Sequence, residues 1–256
     1  MTIKSYLRPQ YEFAYRSIAS AGVAARRIVA PGRPKVAHQG IQRSGTNYAC
    51  ALLGRLGYDV LNRIDPRRDS PRHKHFRWQD DKSTIVMDAA FKNQTIAANV
   101  SEINSLAGFP TNTKHLVFFR RPSAWLPSIY TWGLAHSWVE PDIEFRVGGG
   151  VALDWLREWD AYYSKWFSLA EREPDMVLPI FYDDLRERPV ETSSTISAFT
   201  SSDLTLKEAS NAEFSKVRHS PRRSEVSNAK SSDQCFNDAD ESVAADWRRW
   251  VRFAND

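Results

Sequence analysis

The sequence predicts an α/β fold: three layers, with a central, largely parallel sheet and helices on both faces. Three observations lead there. Short apolar runs alternate with longer helical ones from Pro34 onward, the pattern of strand–helix–strand units. A glycine-bounded turn, Gly40 to Thr46, sits between the first such run and the first helix, as a P-loop-like nucleotide-binding turn does. The 256 residues, 42% of them hydrophobic, suffice for one large domain with a full core.

Taken in order, "KVAHQGI" (35–41) predicts the first strand and residues 46–56 a helix. "YDVLN" (58–62) and "STIVMD" (83–88) predict two further strands, and 93–107 a helix. "KHLVFF" (114–119) predicts a buried strand, followed by a helix over 122–134. Pro127 removes a backbone donor inside that helix and is expected to bend it or to mark its true start. Residues 151–171 form a long amphipathic pattern in which Trp155, Trp159, Tyr162, Tyr163 and Trp166 fall on one stripe, predicting a helix face buried in the core. "DMVLPIFY" (175–182) predicts the last strand. The charged segment 62–82 and the polar segment 220–234 read as loops.

Residues 1–33 are expected to form a basic helical extension, and 34–256 a single domain. The stretch 1–34 carries Lys4, Arg8, Arg16, Arg26, Arg27 and Arg33 against one acid, Glu12. This fits an amphipathic helix that packs on the domain or touches a partner, although "SIASAGVAA" also permits a targeting segment. A net charge of +4 suits an anionic ligand without by itself pointing to nucleic acid. Cys50 and Cys235 form no metal-type spacing, and a reducing compartment fits. No apolar run approaches the ~18–20 residues that span a bilayer.

The turn carries the first chemical signal. A strand ending at Gly40 and a helix opening at Thr46 bring unpaired N–H groups and the positive end of a helix dipole to one spot. Gly45 allows close backbone approach. Arg43 adds fixed charge, and Ser44, Thr46 and Asn47 add polar side chains. The nucleoside-triphosphate version of this loop has Lys after its second glycine. Here Thr46 follows Gly45, so a phosphate-like group held without the usual metal arrangement is expected. The second signal is Arg120, delivered at the C-terminal end of the 114–119 strand, where open α/β sheets bind ligands. Pro122 opens the next helix, and Ser128 lies eight residues after Arg120.

With Gln42-Arg43-Ser44-Gly45-Thr46 followed by Arg120-Arg121-Pro122…Ser128, and then "IFYDDLRERP" (180–189), the chain resembles the sulfotransferases that use 3′-phosphoadenosine 5′-phosphosulfate (PAPS). The resemblance covers roughly residues 35–200. It implies PAPS as co-substrate, with no metal. The loop, including Arg43, would hold the 5′-phosphosulfate, Arg120 and Ser128 the 3′-phosphate, and Tyr182 would lie near the adenine. A late basic segment in the family closes over the 3′-phosphate, and Arg218, Arg222 and Arg223 match it in position and charge. Arg43 stands where many members carry a catalytic Lys, so its role would be electrostatic.

The general base is left open between His75 and Asp88, with His73, His136 and Glu140 behind them. The acceptor, a hydroxyl or amine, would meet loops 62–82, 134–150 and 215–235. The basic 63–77 stretch and Arg43 tilt toward an anionic saccharide; Trp138 reads either as a stacking face or as a buried ring, and Gly148–Gly150 either as a lid hinge or as a plain connection between two elements. Family analogy implies a cytoplasmic enzyme. Two other classes are weighed: a P-loop kinase using magnesium-ATP, and a non-catalytic protein that holds an anion or glycan on its basic surface.

Overall fold

The computed structural model describes residues 32–62, 70–79, 96–135, 150–207 and 247–253, together with positions 14, 17, 18, 21 and 25. Four strands form its sheet: β1 (Lys35–Gln39), β2 (Asp59–Val60), β3 (Lys114–Phe119) and β4 (Val177–Phe181). Their order is β2-β1-β3-β4, and every pairing is parallel. Parallel strands are buried on both faces, so they must be apolar almost throughout. β3 is buried at five of its six positions and β4 at all five. Pro179 is compatible with β4 because that strand lies at the sheet's edge among the described residues.

Alternation along β3 splits the core in two. Val117 and Phe119 join a cluster with Trp125, Trp159, Tyr163 and Phe167. Leu116 and Phe118 join another, with Leu52, Leu53, Leu185 and Ile196. Successive side chains of a strand point to opposite faces, so these clusters are the two inter-layer spaces of the predicted three-layer fold. The first is roofed by α3 (Pro122–Ala135) and α4 (Gly150–Arg172). The second is roofed by α1 (Thr46–Leu56), α5 (Tyr182–Glu187) and α6 (Pro189–Thr200). The stripe Trp155, Trp159, Tyr162, Tyr163 and Trp166 is buried on α4, as the spacing predicts. Truncating one such aromatic to Ala costs about 3–5 kcal/mol.

Several boundaries differ from the sequence expectation. Helix α2 (Val100–Ala107) begins later than 93, because Asn99 caps it, accepting from the Glu102 N–H at 2.9 Å. Glu102 reaches back to the N–H of Ala98, the residue before the cap, at 2.7 Å. β2 is only two residues long. Beyond it, Asn62 takes over the pairing with its side chain, donating to His38 O at 2.6 Å and accepting from His38 N at 2.9 Å. Pro127 neither breaks α3 nor moves its start. β4 ends at Phe181, and Tyr182 already belongs to α5. The predicted strand 83–88, most of the N-terminal extension, and the segments 136–149 and 208–246 lie outside the described residues. Among the described residues, no helix is long and apolar enough to cross a membrane.

Candidate functional site

The chain runs from β1 outward to β2 on one side and then crosses to β3 on the other. The crevice outside the C-terminal ends of β1 and β3 is therefore the topological switch point, where ligands bind in this architecture. Both sequence motifs open there: Gly40 follows β1, and Arg120 follows β3.

Sterics dictate the turn's composition. A Cβ on Gly40 would sit 2.6 Å from Phe118 O and 2.6 Å from Ser44 Oγ. Ser44 is buried, and both its N–H (3.3 Å) and its hydroxyl (2.7 Å) donate to Ile41 O, so its side chain builds the turn. Gly45 caps α1 with φ 89°, offers no side-chain cap, and is followed by a first turn without acid. Helix N-terminal donors are thereby left to an incoming anion. Thr46 is buried and Asn47 exposed at that end. Arg43 also takes a left-handed conformation, φ 69°, which costs a non-glycine residue about 1–2 kcal/mol. Its guanidinium thereby reaches Ser128 Oγ, 3.1 Å from Nε, and lies 5.1 Å from the Trp132 ring centroid.

The paired arginines separate. Arg121 is spent on Asp183, with Nε and NH2 at 3.3 and 3.1 Å from Oδ2. The Arg120 guanidinium lies 5.7 Å from the Tyr182 ring centroid, and its buried Nε has no hydrogen-bond partner among the described residues. Burial pulls its pKa below the usual arginine value, with Asp183 acting in the other direction. The Tyr182 ring also covers Gly45, where a Cβ would come 2.1 Å from Cδ2. One aromatic ring thus links the loop to Arg120. Ser128, expected beside Arg120, makes its hydrogen bond to Arg43 instead, so the two motifs meet twice.

His75 approaches the loop from the 70–79 segment. Its Nδ1 lies 2.6 Å from Gly40 O. A carbonyl only accepts, so Nδ1 carries the proton and Nε2 the lone pair. Burial, then the Lys74 and His73 charges, hold its pKa well below the ordinary histidine value, and the ring is neutral. Lys74 donates its Nζ to Asn47 Oδ1, so an ammonium absent from the loop's own sequence stands at the N-terminus of α1. Behind His75, Arg77 is fully buried. It donates Nε to Glu158 Oε1 at 2.6 Å, NH1 to His75 O at 3.0 Å, and NH2 to Gln42 Oε1 at 2.7 Å.

The aromatic stripe does more than fill space. Tyr163 donates its hydroxyl to Phe118 O at 2.9 Å and accepts from Ile41 N at 3.3 Å. Trp125 donates to Gln42 O at 2.7 Å, and Trp159 to Arg120 O at 3.1 Å. The sequence offers Lys74 only as the neighbour of His75; its place at the α1 N-terminus, Arg77 with Glu158, and these ring N–H and O–H contacts are not read from it. The one available signal was the uncommon run of cations before a Trp in "RHKHFRW". Asp88, Arg218 and Arg222 lie outside the described residues, as do Arg223, His136, Trp138 and Glu140.

No family model matches the chain, and no curated protein matches it. Among solved structures it is similar to the mouse sulfotransferase SULT7A1 complexed with PAP, at 12% identity and a TM-score of 0.42. That likeness covers 72% of this chain and 62% of the mouse chain, so this chain spans less than two-thirds of that protein's length. The fold stands on strand order and register, and the function rests on the residues just described.

Proposed function

We propose that the chain is a sulfotransferase that moves the sulfuryl group of PAPS to a hydroxyl or amine acceptor, with an anionic saccharide the favoured acceptor class. One observation carries this reading: Arg43–Ser128 and Gly45–Tyr182–Arg120 unite two anion-binding motifs in one crevice. Two separated anionic groups on one adenosine nucleotide fit that arrangement. The buried Nε of Arg120, without a hydrogen-bond partner among the described residues, supplies a donor for one of them, and the N-terminus of α1, which has no side-chain cap from Gly45, supplies amides for the other.

In this reading Arg120 holds the 3′-phosphate. Arg43, Lys74 and the α1 amides hold the 5′ end, and the Tyr182 ring supports the adenine. His75 Nε2 accepts the proton of the attacking group as a new sulfur–oxygen (or sulfur–nitrogen) bond forms and the bond to the 5′-phosphate breaks. Negative charge growing on the departing phosphate is met by Arg43 and the helix amides, placed before reaction. Catalysis is then mainly placement and charge stabilisation, as in phosphoryl transfer.

The test is calorimetric titration with 3′-phosphoadenosine 5′-phosphate (PAP) beside ATP with magnesium, followed by transfer from radiolabelled PAPS to a panel of saccharide, phenol and amine acceptors. Saturable binding of PAP, at least tenfold tighter than ATP, is expected. Tighter magnesium-ATP binding would make the chain a kinase of the same loop class. Unsaturable binding that collapses with salt would make it an anion-holding protein.

A further inference from the structure

We propose that the buried Arg77–Glu158 pair is a positioning brace that locks the Gly40–Thr46 loop and His75 into one register. The inference rests on the reading of His75 as the proton acceptor. A buried ion pair is weak evidence of stability, because apolar residues of similar volume commonly serve as well or better. Its geometry points elsewhere. All three guanidinium nitrogens of Arg77 are spent, on three separate parts of the fold: Glu158 on α4, the Gln42 side chain in the loop, and the His75 carbonyl. Glu158 is fixed in turn by Gln79, which donates to its second oxygen at 3.2 Å.

The brace reaches the reacting region from both ends. Gln42 precedes Arg43, whose left-handed backbone must be imposed from outside. Trp125 holds the Gln42 carbonyl while Arg77 holds its side chain. On the other side, Arg77 fixes the His75 main chain while Gly40 O fixes its ring. The ring nitrogen and the loop are therefore related by two independent linkages. Arg suits this task and Lys does not: a rigid fork addresses three acceptors, whereas an ammonium is a point charge on a flexible stem.

The experiment compares wild type, Arg77→Met/Glu158→Leu and Arg77→Lys. Each is measured for melting temperature, PAP affinity, kcat and the ¹⁵N shifts of His75. Wild type is expected to show His75 neutral with Nδ1 protonated from pH 6 to 8. The double variant removes both buried charges but leaves Gln42 Oε1 and Gln79 Nε2 without these partners, so its melting point falls. Its kcat falls about 10- to 100-fold, the scale of a misplaced catalytic group, PAP affinity weakens as the loop is released, and the His75 nitrogens shift toward a tautomer mixture. Arg77→Lys, which retains a cation for Glu158, loses kcat in the same direction. Wild-type kcat and nitrogen shifts in the double variant overturn the brace. If that variant does not fold, wild-type values in Arg77→Lys overturn it. A wild-type protein that binds PAP but transfers nothing removes the sulfotransferase reading, while the nitrogen shifts still decide whether the pair sets the ring.

Discussion

Arg120 and Arg121 are adjacent and chemically identical, yet their surroundings predict opposite consequences when each is replaced by Met, which keeps most of the stem. Arg121 is about half exposed, with 46% of its side chain accessible, and pairs with Asp183 at 3.1 Å. Exposed pairs contribute about 0–1 kcal/mol, so Arg121→Met should leave stability within about 1 kcal/mol and PAP affinity within about threefold. Arg120 has a buried Nε with no hydrogen-bond partner among the described residues and a pKa lowered by burial, so the folded protein gains little from its charge. Arg120→Met should melt at or above the wild-type temperature, less the small aromatic contact with Tyr182. A phosphate held by Arg120 contributes about 1.5–3 kcal/mol per charge-assisted bond, which is about 10- to 150-fold in Kd. Calorimetry with PAP and a thermal melt on each variant read both quantities. Equal losses of affinity in the two variants, or wild-type affinity in Arg120→Met, would refute the assignment.

Gly45→Ala forces an L-residue to φ 89° and drives its Cβ into the Tyr182 ring; urea denaturation should show a loss of at least about 2 kcal/mol, with PAP affinity falling alongside. His75→Ala should lose about 10²–10⁴ in kcat. The wild-type acid limb of kcat/KM should fall well below pH 6.5, because burial, Lys74 and His73 lower the His75 pKa and the neutral base persists as pH drops; a limb centred at or above 6.5 removes His75 from the role. His115, fully buried with its pKa lowered by burial to about 3, binds its proton more readily unfolded than folded. Stability is complete above about pH 6.5 and declines below it toward pH 3, at about 1.4 kcal/mol per pH unit from this group. Denaturant melts of wild type and His115→Gln at pH 7 and pH 5 should show the wild type losing about 2 kcal/mol more than the variant over that interval.

The layered architecture was legible because it depends on local patterns. "KHLVFF" is buried on both faces in any context, and Gly40 and Gly45 sit where only glycine fits. The meeting of Arg43 with Ser128, 85 positions later, was not legible, since motif spacing says nothing of which partner a side chain selects. The division of labour between Arg120 and Arg121 was likewise hidden, because Asp183 decides it from another strand's exit. Arg77 looked like one more cation in a basic loop. Its burial becomes intelligible only once α4 brings Glu158 beneath it. The start of α2 was missed because helical periodicity in 93–99 outweighed Asn99, a strong cap visible in the sequence.

The crevice draws on stretches around residues 40, 75, 120 and 182, joined through parallel pairings of high sequence separation. Such topologies assemble slowly. A nascent chain that has left the ribosome only as far as Phe119 owns the Gly40–Thr46 turn yet lacks the ring that covers it. In the proposed reading, nucleotide capture becomes available only after β4 docks, and a ligand that recognises the completed molecule alone pulls late intermediates forward by mass action.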